Sequence, residues 1–154
     1  MAKIAYQLYS AREEAEKDLR SVLRKLASMG YDGVEFAGFY GHSAQDVRAM
    51  LDETGLQAVS SHVPFQDIEK DMFSVISYHL TVGCKWIAVP YLLDAERPGK
   101  PGFARVIAVI HRFARLCREV GIQLLYHNHD FEFATVSGSY ALDFLYEAVP
   151  ANLL

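Results

Sequence analysis

The chain has 154 residues, a length at which one domain removes roughly 70% of its unfolded surface from water, so a sizeable hydrophobic core is within reach. Hydrophobic residues make up 51% of it, which excludes a disordered chain, and the net charge of -4 without a long basic run argues against nucleic acid as a partner. No apolar stretch approaches the ~20 residues of a membrane span, and the N-terminus enters strand-like sequence without a signal-peptide hydrophobic region, so no membrane partner and a cytoplasmic setting are expected.

Lys3 to Leu8 reads as a first strand. Ser10 opens a capping box with Glu13, and Ala15, Leu19, Val22, Leu26 and Met29 follow at helical spacing. Gly33 to Phe36 is a second strand, and a second box, Ser43 with Asp46, opens a helix carrying Val47, Met50 and Leu51. Gln57 to Ser61 is a third strand, followed by one helix from about Asp67 to Val82 and a fourth strand, Lys85 to Val89. The Pro- and Gly-rich segment Pro90 to Gly102 is a loop. A helix then buries Phe103, Val106, Ile107, Ile110, Ala114, Cys117 and Val120. Ile122 to Tyr126 is a fifth strand, Ser139 to Ala148 a fifth helix, and Pro150 to Leu154 leads into a sixth strand. Cys84 and Cys117 stand alone at apolar positions and are expected as buried free thiols.

Gly30, Gly55, Gly83 and Gly121 each stop a helix just before a strand, which makes the chain a βα repeat. Strands joined by helices run parallel with right-handed crossovers, in an open sheet or a closed barrel. A complete (βα)8 barrel takes ~250 residues, so residues 1 to 154 amount to a single partial barrel domain of about five of eight units, lacking strands six to eight.

Side chains alternate across a strand. One set in strand one is Ile4, Tyr6 and Leu8, which leaves Ala5, Gln7 and Tyr9; strand two leaves Glu35 opposite Val34 and Phe36. Strand three offers Ala58, Ser60 and His62 opposite Val59, and strand five offers Gln123, Leu125, His127 and His129. Tyr9, Glu35, His62 and His127 thus fall near carboxyl ends of strands on one side, where ligands gather in parallel α/β folds. An open sheet covered on both faces would bury Glu35 and Gln7, so the barrel needs fewer special partners. Each residue also has a plain structural reading: Tyr9 as packing, Glu35 as a paired structural carboxylate, His62 as a satisfied core histidine, Asp130 and Glu132 as loop carboxylates. His42, His79 and His111 fall in a loop or in helices and are read as non-catalytic. Histidines and carboxylates at strand ends suit a divalent metal with open positions or acid–base chemistry near neutral pH, and spacing does not separate the two. His-Asn-His also names a nuclease motif, but that motif belongs to a small hairpin–helix metal site, and here it follows a parallel strand.

Four segments, Ile4 to Ser10, Gly30 to Gly38, Val59 to Phe65 and Tyr126 to Phe133 (Tyr-His-Asn-His-Asp-Phe-Glu-Phe), resemble the xylose isomerase-like TIM-barrel superfamily, particularly the sugar phosphate isomerases/epimerases. The resemblance implies a metal-dependent enzyme that abstracts a proton next to a carbonyl of a small sugar or sugar phosphate, with a divalent metal (Mn, Mg, Co or Zn) in the complete family site. A dehydratase or lyase acting on a keto-sugar or inositol derivative is the alternative within enzymes, and a non-catalytic self-associating half-barrel module is the alternative outside them. Carried onto this chain, the resemblance gives Glu35, His62 and Glu132 as catalytic candidates and Tyr9, Asn128 and His129 as substrate contacts. Many relatives place a glutamate ligand where this chain has His127, so either His127 binds the metal or Glu132 reaches back to it. The family's remaining ligands belong to later strands. The isolated chain is therefore expected to be weak or inactive and to associate with itself through the open side of the barrel.

Overall fold

The computed structural model of the chain describes residues 3–149, so the expected lead into a sixth strand at 150–154 lies outside the described residues. Strands β1 (Ala5–Gln7), β2 (Gly33–Phe36), β3 (Gln57–His62), β4 (Trp86–Val89) and β5 (Gln123–Tyr126) form one sheet in sequence order. Helices α1 (Arg12–Ser28), α2 (Ala44–Thr54), α3 (Phe65–Lys70), α4 (Met72–Val82) and α5 (Phe103–Glu119) alternate with them, and α6 (Ala141–Ala148) follows β5. This is the βα repeat expected from the glycines. Gly55 shows why glycine stands there: at φ 72° it closes α2 in the left-handed region and donates its N–H to Leu51 O at 2.9 Å.

The described residues pack as two units, one drawn from 3–62 and 73–86, the other from 63–72 and 87–149. In the first, β1 pairs with β2 and β2 with β3, all parallel. Leu8, Leu19, Leu23, Val34, Phe36, Val47 and Leu51 are fully buried together, with Tyr6 and Ala58 packed against them. In the second unit Phe65, Ile68, Val106, Ile110, Phe113, Cys117 and Leu124 are buried.

Several local expectations are corrected. Ser10 does not cap a helix, because Leu8–Ala11 winds as a 3-10 turn that runs straight into α1, whose cap position is Ala11. The cap work falls instead to Asp18, which leaves helical geometry at φ -158° and accepts from Ser21 N at 3.0 Å, so α1 is two helical segments joined at a capped kink. Ser43 does cap α2, accepting from Asp46 N at 3.1 Å. The single helix expected from about Asp67 to Val82 is two, broken at extended Asp71. Phe65 and Ile68 are buried in the second unit and Ile76, His79 and Val82 in the first, so the two halves bury their apolar faces in different cores. On α5, Phe113 is fully buried while Val120 is exposed, and on α1 Leu23 is buried while Met29 is exposed. Residues 139 and 140 do not begin the last helix: Ser139–Tyr140 (β7) pairs antiparallel with Thr135–Val136 (β6).

The correction that shapes the site is in β3. Val34 faces Ala58 in the register, but Glu35 faces Ser60, so Val59 is an extra residue in a β-bulge. A bulge resets the alternation of side chains. Ala58 therefore packs with the helix-side core, and Val59 lies over Gly33, where an added Cβ would meet its Cγ2 at 2.7 Å. Ser60 stands opposite Glu35 in the register.

Candidate functional site

The sheet register brings Gln7, Glu35 and Ser60 into one row across three strands. The row is bonded. Glu35 Oε1 accepts from Gln7 Nε2 at 2.5 Å, and Glu35 Oε2 accepts a short hydrogen bond from Ser60 Oγ. His62, two residues along β3, places Nε2 3.4 Å from Glu35 Oε1, with side-chain exposures of 12% for His62 and 25% for Glu35. A half-buried carboxylate gripped by two neutral donors and facing an imidazole can orient that ring and stabilise its protonated form. Of the expected residues, Glu35 and His62 are thus joined. Tyr9 is not part of the row: it sits in the 3-10 turn after β1, is exposed, and has the Arg12 guanidinium 4.6 Å above its ring. Gln7 and Ser60 were visible only as members of the strand parity sets, without a role.

The second group lies in the second unit, where β5 runs into the loop 127–133. His127, Asn128 and His129 are exposed, whereas Glu132 is 2% exposed. Glu132 reaches back to β5: one oxygen takes a short hydrogen bond from the Tyr126 hydroxyl, and the other accepts from His129 N at 2.7 Å. Burial, followed by the hydrogen bond and charge of Glu132, pushes the Tyr126 phenol up, so it remains the donor of this pair. The backbone of His127 is tied to β4 through its N–H to Val89 O at 3.0 Å. The rings of His127 and His129 are 5.0 Å apart, and Asn128 makes only a long contact to His129 O at 3.4 Å.

Around His129 stand Phe131, which the sequence offers as a packing residue, and two residues that carry no sequence signal. Phe131 is stacked on its ring at 5.5 Å with an interplanar angle of 6°, and Tyr91 meets both rings edge-on at 5.6 and 5.3 Å. Arg97 lies 3.6 Å over Phe131. No sequence signal marked Tyr91 or Arg97, because they come from the Pro- and Gly-rich loop after β4, which has no periodicity to read.

Among the described residues, no three His, Cys, Asp or Glu side chains come together in a way that could hold a metal ion. Each oxygen of Glu132 already accepts one hydrogen bond, and no chemical step is assigned to a metal. Cys84 and Cys117 are buried and free, and burial pushes their thiols up to about 11 and about 12, which leaves them inert. Among the described residues no helix is long and apolar enough to cross a membrane.

Parallel βα units with polar residues at the strand ends are those of a (βα)8 barrel, and the fold is shared with solved TIM-barrel proteins. A sugar phosphate isomerase/epimerase from Parabacteroides distasonis superposes with a TM-score of 0.78 at 23% identity, over 96% of this chain and 62% of that one. A solved IolI protein with a bound zinc atom superposes with a TM-score of 0.63 at 15% identity, over 81% of this chain and 51% of that one. In sequence, an inosose dehydratase from Geobacillus kaustophilus is 24% identical over 155 residues, which is 86% of this chain and 50% of the relative. The chain thus spans about half the length of the curated relative it matches. No family model matches it.

Proposed function

We propose that the chain is the N-terminal part of a sugar isomerase or epimerase, acting on a small sugar or sugar phosphate by proton transfer next to a carbonyl. The observation that carries this reading is Glu35, held by Gln7 and Ser60 and facing His62 at the strand ends. In the proposed step His62 takes the proton from the carbon beside the carbonyl, the electron pair moves to the carbonyl oxygen as an enediolate forms, and the imidazolium returns the proton to the neighbouring carbon; an epimerisation instead takes a different proton from an acid on the opposite face and leaves the first on His62. Glu35 orients the ring and balances its charge when protonated. Glu132 keeps the loop after β5 in place through Tyr126 and the His129 amide; Asn128 and His129 in that loop, and Tyr9 after β1, are each assigned as candidate substrate contacts.

The IolI protein with bound zinc supports a divalent metal in the complete enzyme. To that metal this chain contributes His127, and the remaining ligands come from the second half of a complete barrel. The inosose dehydratase relative supports a second reading, loss of water from a keto-inositol, which begins with the same proton abstraction. Under either reading the setting is cytoplasmic and the half-barrel alone turns over far more slowly than a complete enzyme.

The test uses the chain itself in D2O with a panel of ketohexoses, their phosphates and a keto-inositol. Chemical-shift changes at residues 35, 60 and 62 and slow C–H to C–D exchange are expected with at least one compound, and His62→Gln should abolish the exchange. No perturbation at these residues by any compound, or exchange indifferent to His62→Gln, overturns the proposal. Turnover by the unmodified chain comparable to that of complete barrels would refute the half-barrel part of it.

A further inference from the structure

Glu132 fixes the backbone of the loop after β5, but it does not fix the His129 ring. That ring is exposed, and an exposed side chain in a loop ordinarily samples several rotamers. Its order comes from the stack on Phe131 and the edge contact with Tyr91. Phe131 is in turn covered by Arg97, whose position is set by three further contacts within its own loop. Nε donates to Leu92 O at 3.2 Å, Nη2 donates to the Tyr91 hydroxyl at 2.6 Å, and Nη1 lies 3.8 Å from Asp94. The Arg97 charge also acts on the Tyr126 phenol at the base of the loop, where it opposes the upward push of burial and of Glu132. A second contact ties the 90–102 loop to the segment that follows: an added Cβ at Gly99 would meet Val136 Cγ1 at 3.1 Å, so the 90–102 loop lies close against the β6–β7 hairpin.

We propose that Arg97 is a positioning residue, which locks the His129 ring by clamping Phe131 and Tyr91 between the loops that follow β4 and β5. The arrangement needs a guanidinium. Only a group with several donors spread along its edge can sit 3.6 Å over Phe131 while it bonds Tyr91 and Leu92; an ammonium is a compact, strongly hydrated point charge. The role of the locked ring as a sugar contact rests on the function proposed above. The lock itself does not.

The experiment is side-chain and backbone NMR on the 154-residue chain and its Arg97→Met and Arg97→Lys variants. In the unmodified chain, nuclear Overhauser contacts from the His129 ring to Phe131 and Tyr91 are expected, with backbone order parameters near about 0.85 across residues 127–133. Arg97→Met should erase the ring contacts, while the backbone order of residues 127–133, which Glu132 holds, and the signals of Glu35 and His62 stay in place. Arg97→Lys should fail to restore the contacts. If either folded variant keeps the ring contacts, the proposal is overturned. Where Arg97→Met does not fold, Tyr91→Phe decides, since it deletes only the hydroxyl that receives Nη2: looser His129 contacts support the clamp, and unchanged contacts reject it. Sugar affinity is read on the same samples, with a tenfold or greater loss expected in Arg97→Met. A chain that shows the lock but binds no sugar refutes the proposed function and leaves the clamp standing.

Discussion

His79 is 2% exposed on α4, and its chemistry follows from what surrounds each ring nitrogen. Nδ1 lies 2.7 Å from Val75 O, and because a carbonyl only accepts, Nδ1 carries the proton. Nε2 is buried without a hydrogen-bond partner, and the Phe39 ring packs edge-on at 5.5 Å. A second proton would leave a buried, unpaired charge, so burial holds the His79 pKa below its ordinary value. The folded state therefore binds fewer protons than the unfolded one below about pH 6.5, the unfolded value. Stability from this group is present above that pH and is lost as the pH falls toward the folded pKa, by up to about 1.4 kcal/mol per pH unit. Urea unfolding from pH 8 to 5 should show this loss, and His79→Leu should flatten the slope. An unchanged slope in the variant would reject the assignment. The same residue-scale accounting explains Glu35, whose partners Gln7 and Ser60 were legible as polar members of a strand face. Their bonds to it were not, since those depend on which residues meet across three strands.

At the scale of elements, two caps carry comparable work at places the sequence signals very differently. Ser43 precedes an amphipathic run and has an acidic residue three places on, which is a readable start. Asp18 lies inside a continuous helical pattern, and its cap shows only once the kink places Ser21 N and Ser21 Oγ against its carboxylate at 3.0 and 2.7 Å. Ser43→Ala and Asp18→Ala should each lower stability by about 1 kcal/mol in urea unfolding. If Asp18→Ala costs nothing, the kink is not a cap. The bulge in β3 makes the same point for strands: the period-two pattern predicts one face for Ala58, Ser60 and His62, and one inserted residue divides the set.

For the molecule as a whole, the first unit exposes large apolar residues, Ile4 at 60%, Val59 at 39% and Trp86 at 45%. Val59 lies beside Gly33, on the strand that carries Glu35. Exposed apolar side chains on or next to strands are a general basis for association, and self-association is proposed here because a second copy is the partner always present. Sedimentation velocity should show concentration-dependent self-association, weakened by Val59→Lys with Trp86→Lys. A monomer at every concentration would reject it.

What the sequence determined alone was the repeat and its chemistry at strand ends. Helix stops, apolar periods and a polar residue on an apolar strand are local properties, set by backbone sterics and by the few residues nearest in the chain. That is why the parallel βα order, the four glycine stops and the nomination of Glu35 and His62 could be read directly. The break between α3 and α4, the bulge at Val59, the commitment of both Glu132 oxygens and the grip of Arg97 on Phe131 were decided only in the tertiary structure. Each depends on a neighbour distant along the chain or on a loop without periodicity, and side-chain chemistry there acquires a role only when folding supplies the partner.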